Sequence, residues 1–114
     1  MSAKFEIFHG KNGEFYFRLK AGNGQIILGS EGYTTKANCL NGIKSVKNHA
    51  KEHRYFEKKV TTNGKFSFNL KASNGQIIGT SQTYTTEQSR DAGIDSVSHN
   101  GPEAEVTDLT ALAD

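Results

Sequence analysis

The chain has 114 residues, a length that suits one domain with one modest hydrophobic core. Its hydrophobic content of 34%, with seven Phe and four Tyr, argues against a disordered chain. The net charge of +2 is too small for the dense basic surface of a strong nucleic-acid binder, and the single cysteine excludes an internal disulfide.

The N-terminal sequence MSAKFEIFHG lacks the apolar stretch of a signal peptide. No apolar run in the chain is long enough to cross a bilayer. We therefore expect a soluble cytoplasmic protein that does not associate with a membrane.

The chain repeats itself with a displacement of 51 residues. FYFRLKAGNGQII in the first half returns as FSFNLKASNGQII in the second, and nearly half of the positions aligned in this way are identical. An internal repeat of this kind predicts two similar structural units. We place them at about residues 4–54 and 55–110, within a single domain that covers residues 1–114.

Each unit is predicted to begin with three strands joined by two tight turns. In the first unit, FEIFH is the first strand, EFYFRLKA is the second and QIILGS starts the third. Asn-Gly pairs separate these strands at 12–13 and 23–24, and they recur at 63–64 and 74–75. Because Asn and Gly both tolerate positive φ, the pairs predict type I′ turns.

The second strand of each unit alternates strictly between apolar and polar side chains. The apolar side chains are the same in both units whereas the polar ones vary, as expected if the apolar set faces a core. The apolar set is Phe15, Phe17 and Leu19, then Phe66, Phe68 and Leu70; the polar set is Tyr16, Arg18 and Lys20, then Ser67, Asn69 and Lys71.

A helix is predicted to follow the sequence YTT in each unit. Thr35 and Thr86 suit the N-cap position, since a Thr hydroxyl can accept the free backbone N–H groups of the first turn. In the first helix, Leu40, Ile43 and Val46 form a narrow apolar stripe.

A glycine lies in the middle of each predicted helix, at Gly42 and at Gly93. Glycine at such a position costs ~1 kcal/mol relative to alanine. Its retention in both units predicts that each helix approaches the sheet closely.

The segment between the first helix and the second unit leaves little room for an extra strand. We therefore predict that YFEKKV (Tyr55–Val60) serves twice, closing the first unit and opening the second. The matching closing strand of the second unit is predicted at AEVTDLT (Ala104–Thr110). The expected fold is α+β, with two tandem βββα(β) repeats that form one shared antiparallel sheet and two helices packed on one face.

The segment NGKFSFNLKASNGQIIGTSQTYTT resembles the YegP-like family of uncharacterised bacterial proteins, and related motifs carry the resemblance through both repeats. The resemblance implies a single antiparallel sheet shared by two units that exchange their closing strands. It also implies that members with one unit pair as dimers, whereas this two-unit chain forms the same geometry as a monomer. It implies no functional site, because the family has no established activity.

The sequence HAKEH (His49–His53) matches the H-x-x-E-H pattern of a class of zinc proteases. On a helix, His49 and His53 would lie one turn apart and could share a Zn²⁺ ion, with Glu52 as general base. No convincing third ligand stands out and the second unit has neither histidine, so we favour a solvated helix end. No metal and no cofactor is predicted.

Two further motifs are interpreted as structural. Cys39 could act as a nucleophile only with a lowered pKa and a nearby base, and the sequence shows neither, so we favour a partly buried helix cysteine. The stretch AGNGQI lacks the third glycine of a dinucleotide-binding loop and leads into a strand, so we interpret it as a turn.

The polar side of the second strands is the predicted interaction face. Tyr16, Arg18, Lys20 and Lys71 could together bind RNA or another anionic partner. The same side chains could equally form an ordinary solvated sheet surface.

No spaced carboxylate pair, Ser-His-Asp set or phosphate-binding loop is visible in the sequence. We therefore expect a small binding or interaction module with an unknown partner. The first alternative is a nucleic-acid-associated protein that uses the predicted interaction face. The second is a small metalloprotein or enzyme centred on His49, Glu52, His53 or Cys39.

Overall fold

The structure is a computed structural model that describes residues 3–112. Within these residues, two α-helices and seven strands follow one another as three strands and a helix, this order again, and a final strand. The elements are β1 (Lys4–His9), β2 (Phe15–Lys20), β3 (Ile26–Gly29), α1 (Lys36–His49), β4 (Phe56–Val60), β5 (Phe66–Lys71), β6 (Ile77–Thr80), α2 (Glu87–Asn100) and β7 (Glu105–Asp108). The predicted α+β fold with two tandem repeats is confirmed.

All seven strands belong to one sheet in the order β4-β5-β6-β3-β2-β1-β7. Neighbouring strands are antiparallel except β1 and β7, which run parallel from the pair Lys4–Glu105 onward. The repeats meet where Gly29 of β3 faces Thr80 of β6, two positions that are equivalent under the 51-residue repeat. An approximate two-fold axis therefore passes between β3 and β6 and relates one repeat to the other.

The strands that follow the two helices pair differently. β4 follows α1 directly after a short 3-10 helix (His53–Tyr55), and it pairs with β5 of the second repeat. β7 follows α2 and pairs with β1 of the first repeat, beside which it begins. Because β1 already pairs with the outer edge of β2, β7 pairs with the outer edge of β1 and runs parallel to it. β4 opens the second repeat as predicted, but within residues 3–112 it pairs with no strand of the first repeat, so its predicted closing role is wrong. The predicted closing strand near Ala104–Thr110 is present as β7.

The predicted type I′ turns are wrong. In the described part of the chain, positive φ occurs only at the glycines Gly13, Gly24, Gly64 and Gly75, with φ between 80° and 87°, while each preceding Asn keeps a negative φ. In the first turn, the backbone N–H of residue 13 bonds the carbonyl of residue 10, and the N–H of residue 10 bonds the carbonyl of residue 14. This is a three-residue loop in which glycine alone supplies the left-handed residue.

Both helices begin at the predicted caps. The hydroxyl oxygen of Thr35 accepts the backbone N–H of Asn38 at 3.1 Å, and that of Thr86 accepts the N–H of Ser89 at 3.0 Å. The predicted place of Leu40 in the apolar stripe is wrong, since its side chain is 41% exposed. Cys39 is fully buried instead, one position earlier on the helix.

Each helix approaches the sheet closely at its central glycine. A Cβ atom at Gly42 would collide with the hydroxyl of Tyr33 and would lie 3.0 Å from the ring of Phe17. A Cβ atom at Gly93 would meet Tyr84 and Phe68 in the same way. The predicted close approach is confirmed in both repeats.

One continuous core lies between the sheet and the two helices. Phe17 and Phe68 are fully buried, and their rings pack edge-on against Phe5 and Phe56 at 5.9 Å and 5.6 Å respectively. Each helix also reaches beyond its own repeat, because α1 contacts β5 and β6 while α2 contacts β3. The repeats therefore share their core, and neither buries its apolar face alone.

The centre of the core departs from two-fold symmetry. Leu28 is fully buried, and its equivalent in the second repeat is Gly79. A Cβ atom at Gly79 would lie 2.6 Å from Cδ2 of Leu28. The space around the two-fold axis therefore holds one leucine side chain, supplied by the first repeat.

Candidate functional site

The charged side chains of the predicted interaction face form ion pairs with carboxylates of the same chain. Glu6 lies between Arg18 and Lys20, with Oε1 at 2.8 Å from Arg18 Nε and at 3.3 Å from Lys20 Nζ, while Lys4 Nζ lies 3.5 Å from Oε2. Burial acts to raise the pKa of the Glu6 carboxyl, but hydrogen bonds from Arg18 and Lys20 outweigh it and hold the pKa below its usual value. The charges of Arg18 and Lys20 are thus paired with Glu6 within the protein.

Tyr16 is also engaged within the protein. Its ring stacks on Phe8 with a centroid distance of 5.7 Å, and its hydroxyl accepts a 3.3 Å hydrogen bond from Asn12 Nδ2. The guanidinium of Arg18 lies 4.5 Å from the centroid of the same Phe8 ring. The structure therefore brings Tyr16, Arg18 and Lys20 into one cluster with Phe8.

Lys71 lies apart from this cluster, because β6 and β3 separate its strand from β2. Its Nζ atom binds Glu57 Oε2 at 3.0 Å on the second repeat's half of the sheet. The four predicted residues thus form two groups, each with its own carboxylate, and they offer fewer free cations than the sequence suggests.

The three residues of the H-x-x-E-H pattern do not converge on a shared metal position. α1 ends at His49, and His53 belongs to the following 3-10 helix, so the two rings do not stand one helical turn apart. The His53 Nε2 atom lies 3.5 Å from Asp95 Oδ1, while Glu52 pairs with Arg54 at 3.0 Å. Among residues 3–112, no cluster of three or more His, Cys, Asp or Glu side chains could hold a metal ion.

The thiol of Cys39 is inaccessible and fully buried in the core. Burial, reinforced by the nearby Asp108 carboxylate, raises the pKa of Cys39 to about 11. The thiolate that a nucleophile requires is therefore disfavoured at neutral pH.

Two clefts at the junction of the repeats were missed by the sequence reasoning. The first cleft, of about 320 Å³, lies between α1 and the hairpin that joins β5 to β6. The second cleft, of about 270 Å³, lies between α2 and the hairpin that joins β2 to β3. The polar residues of the first are Tyr33, Asn38, Asn41, Ser45, Asn74 and Gln76; those of the second are Asn23, Gln25, Tyr84, Ser89 and Ser96.

The clefts are equivalent under the two-fold axis, and each combines the helix of one repeat with the NGQII hairpin of the other. Asn23 and Asn74 shape the hairpins, since their side-chain oxygens accept the backbone N–H groups of Gln25 and Gln76 at 3.0 Å. The side chains of Gln25 and Gln76 line the clefts. A glutamine kept at an exposed position in both repeats was the available sequence signal.

The first cleft is the more polar of the two. Asn38 and Asn41 of the first cleft correspond to Ser89 and Ala92 of the second. It also adjoins a cavity of about 440 Å³, which Tyr33 and Gln76 line together with Glu31.

His49 fixes the edge of the first cleft by joining the two repeats. Its Nδ1 atom lies 2.8 Å from the carbonyl oxygen of Ser45, and its Nε2 accepts the backbone N–H of Ser73 at 3.0 Å. The equivalent residue Asn100 binds Ser96 Oγ within its own helix, at 3.2 Å. The histidine that suggested a metal ligand therefore positions the β5–β6 hairpin against α1.

Several polar groups of the first cleft are unsatisfied by the protein. Within residues 3–112, the hydroxyl of Tyr33 and the side-chain amides of Asn38, Asn41 and Gln76 have no hydrogen-bond partner in the structure. Burial raises the pKa of the Tyr33 hydroxyl above its usual value, so it stays protonated and can donate. None of the residues that line the two clefts is a lysine or an arginine.

Comparison with known families finds one match, and it is repeated. The family model described as "Domain of unknown function (DUF1508)" matches residues 11–57 and again residues 62–108. The two matches are displaced by the period of the internal repeat, and each includes two strands, a helix and residues of the strand that follows it.

Curated relatives match over almost the whole chain. The "UPF0339 protein in ptx operon 5'region" of Stutzerimonas stutzeri is 54% identical over 96% of this chain and 98% of that protein. The "UPF0339 protein YegP" of Escherichia coli (strain K12) is 50% identical over 96% of this chain and 100% of that protein.

Two solved structures share the fold. The solution NMR structure of a UPF0339 protein from Shewanella oneidensis superimposes with a TM-score of 0.89 at 48% identity, covering 96% of this chain and 92% of that chain. The solution NMR structure of the protein of unknown function yegP from E. coli gives a TM-score of 0.90 at 50% identity, covering 96% and 94%. Neither helix among the described residues has the length and apolar character needed to cross a membrane.

Proposed function

The chain belongs to the DUF1508 family, as its resemblance to the YegP-like proteins predicted, and on that premise we propose that it is a binding module whose two interrepeat clefts hold a small, neutral, hydroxyl-rich ligand such as a saccharide. The family description assigns no ligand, so the proposal rests on the clefts themselves. Two equivalent clefts on one chain would give two sites of related but unequal affinity.

The observation that carries the proposal is the set of free polar groups in the first cleft. A carboxamide donates and accepts at once, as a hydroxyl does, and so matches the hydroxyl groups of a sugar. Asn41 and Gln76 supply such amides from opposite walls, and the hydroxyl of Tyr33 lies beside them. The absence of lysine and arginine from the lining favours a neutral ligand over a phosphate.

Tyr33→Phe should weaken ligand binding at the first cleft by roughly three- to tenfold, because one hydrogen bond contributes about 0.5–1.5 kcal/mol. The measurement is ligand-observed NMR against a panel of neutral mono- and disaccharides, followed by titration of the best binder. Tyr84→Phe is the matched control, since it removes the equivalent hydroxyl from the less polar second cleft and should leave the tighter site unchanged. Equal affinities for the wild type and both variants, or no binder in the panel, would contradict the proposal.

A nucleic-acid-associated function is the second candidate, and the stacked pair of Phe8 and Tyr16 on the sheet face supports it. If this function is correct, single-stranded RNA at about 50 mM salt should shift the NMR signals of Tyr16, Arg18 and Lys20, and added salt should reverse the shifts. An unchanged spectrum would remove this candidate. The ion pairs of Glu6 make it the weaker of the two.

We also propose that the protein acts as a cytoplasmic monomer. The buried, unpaired Cys39 suits a reducing compartment. The strands of both repeats already join in one sheet through the β3–β6 pairing, and β7 adds to the first repeat from the second within the same chain.

A further inference from the structure

The two edges of the sheet are unequal. On the first repeat, the outer edge of β1 is covered by β7, which pairs with it over four residues. On the second repeat, β4 is the last strand of the sheet, and no strand among residues 3–112 pairs with its outer edge. An edge strand presents unpaired backbone N–H and C=O groups that can pair with another extended segment. The two-fold axis places a vacant counterpart of the β7 position beside β4.

The residues of β7 show which side chains can pair with the outer edge of β1. Val106 pairs with Phe5, and Asp108 pairs with Ile7, so both residues lie on the helix side of the sheet with those partners. The Asp108 carboxylate binds Lys36 Nζ at 2.7 Å, and this contact holds the pKa of Asp108 at about 2. It also lies near enough to the Cys39 thiol to influence it. The strand is therefore acidic, with the sequence EVTD.

The vacant edge carries cations at the corresponding positions. Ile7 is equivalent to Lys58, and Cys39 is equivalent to Arg90. Lys58 Nζ and Arg90 Nε lie 3.3 Å and 3.1 Å from the same Asp91 carboxylate. Arg90 is buried and also pairs with Glu87 Oε2 at 3.4 Å, whereas the Lys58 side chain is exposed and shares Asp91 with Arg90. An acidic residue that took the position of Asp108 beside β4 would thus face Lys58.

The geometry points to the outer edge of β4 as a docking site for an acidic extended peptide, added as a parallel strand in the position that β7 takes on β1. Phe56 is half-buried and offers an apolar contact to the peptide residue equivalent to Val106. Lys58, whose side chain is exposed, receives the acidic residue that follows two positions later. Lys59, on the opposite side of β4, adds a further positive charge to the edge.

The same charges argue against a second copy of the chain as the occupant. Two β4 strands laid side by side would bring Lys58 and Lys59 of one copy close to those of the other, and like charges at a strand edge discourage pairing. An acidic segment meets no such repulsion. The lysines therefore select the partner as well as protect the edge from self-association.

The test uses a synthetic peptide with the sequence EAEVTDLT, which is that of residues 103–110, added to the intact ¹⁵N-labelled protein. We expect chemical-shift changes and slowed amide exchange in Phe56–Val60, which weaken as salt is raised. A peptide of the same length, in which lysine replaces the residues equivalent to Glu105 and Asp108, should not bind. Changes confined to Lys4–His9 would mean that the peptide displaces β7, and that result would overturn the proposal.

Lys58→Glu should weaken peptide binding by about tenfold or more, because it places like charges in contact at the paired edge. Lys44→Glu is the matched control, since it makes the same change of charge at an exposed position on α1 and should leave the affinity unchanged. Equal binding of the acidic and basic peptides, no effect of Lys58→Glu, or no response of β4 to any peptide would each refute the inference. Concentration-dependent broadening of β4 without peptide would identify a second copy as the occupant and refute it equally.

Discussion

Phe17→Ala and Phe68→Ala should each lower the free energy of unfolding by about 3–5 kcal/mol, the cost usual for truncating a fully buried phenylalanine. Both side chains are completely buried, and each packs against a phenylalanine of the adjacent strand and lies under the central glycine of a helix. Because the two positions are equivalent in a shared core, the losses should be similar. Urea unfolding followed by circular dichroism measures them directly.

Ser67→Ala is the control for this pair of substitutions. Ser67 lies on β5 next to Phe68 but points to the opposite, half-exposed face of the sheet, so the change should alter stability by no more than about 0.5 kcal/mol. Losses below about 1 kcal/mol at Phe17 and Phe68 would mean that the aromatic face is not the core. A large loss at only one of them would contradict the shared core.

The second large effect on stability is expected at the two-fold axis, where the side chain of Leu28 fills the space beside its equivalent position, Gly79. Leu28→Gly should cost about 3–5 kcal/mol, because it leaves a cavity at the centre of the core. Gly79→Leu should cost about 1–3 kcal/mol, because the new side chain would overlap that of Leu28. The double variant moves the leucine to the equivalent position on the second repeat. Its loss of unfolding free energy should be smaller than the sum of the two single losses by at least about 1 kcal/mol.

A double-mutant cycle in urea unfolding gives this coupling energy. The control cycle combines Gly79→Leu with Ile7→Ala, which truncates a buried residue on β1 far from the axis. Those two changes should add to within about 0.5 kcal/mol. Additivity in the Leu28 and Gly79 cycle as well would show that the two positions do not share one space.

The parts of the fold that the sequence predicts are those that local pattern and repetition determine. The alternation around Phe17 identifies a half-buried strand, and its recurrence around Phe68 identifies the core face. Asn-Gly locates every hairpin, but the same pair suits a type I′ turn and a type I turn followed by a left-handed glycine, so the turn type was wrong. The stripe through Leu40 was misplaced by one position, because three-residue spacing fits a helix only approximately and Cys39 fits it as well.

The sites depend on contacts between residues that are distant in the sequence. Arg18 looks like a free cation until the register of β1 on β2 places Glu6 opposite it. The first cleft exists only because α1 of one repeat packs against the hairpin of the other, so nothing near Asn41 in the sequence identifies Gln76 as its neighbour. His49 suggests a metal ligand by pattern, and its bond to Ser73 reveals its structural role.

The repeated NGQII sequence has a meaning beyond its turn. Its Asn and Gly form the hairpin, and its Gln faces the helix of the other repeat across the cleft. The tandem repeat thus creates two equivalent clefts, each of which needs residues of both repeats.

The most direct test of this account is a ¹⁵N chemical-shift map of the protein with the tightest-binding neutral saccharide. We predict that the first signals to move are those of residues 38–45 on α1 together with residues 72–78 of the β5–β6 hairpin, which belong to different repeats. At higher concentration, residues 21–27 should move together with residues 89–96 of α2. Changes restricted to one repeat, changes on the open sheet face, or no change at up to about 50 mM saccharide would contradict the assignment of the clefts as the binding sites.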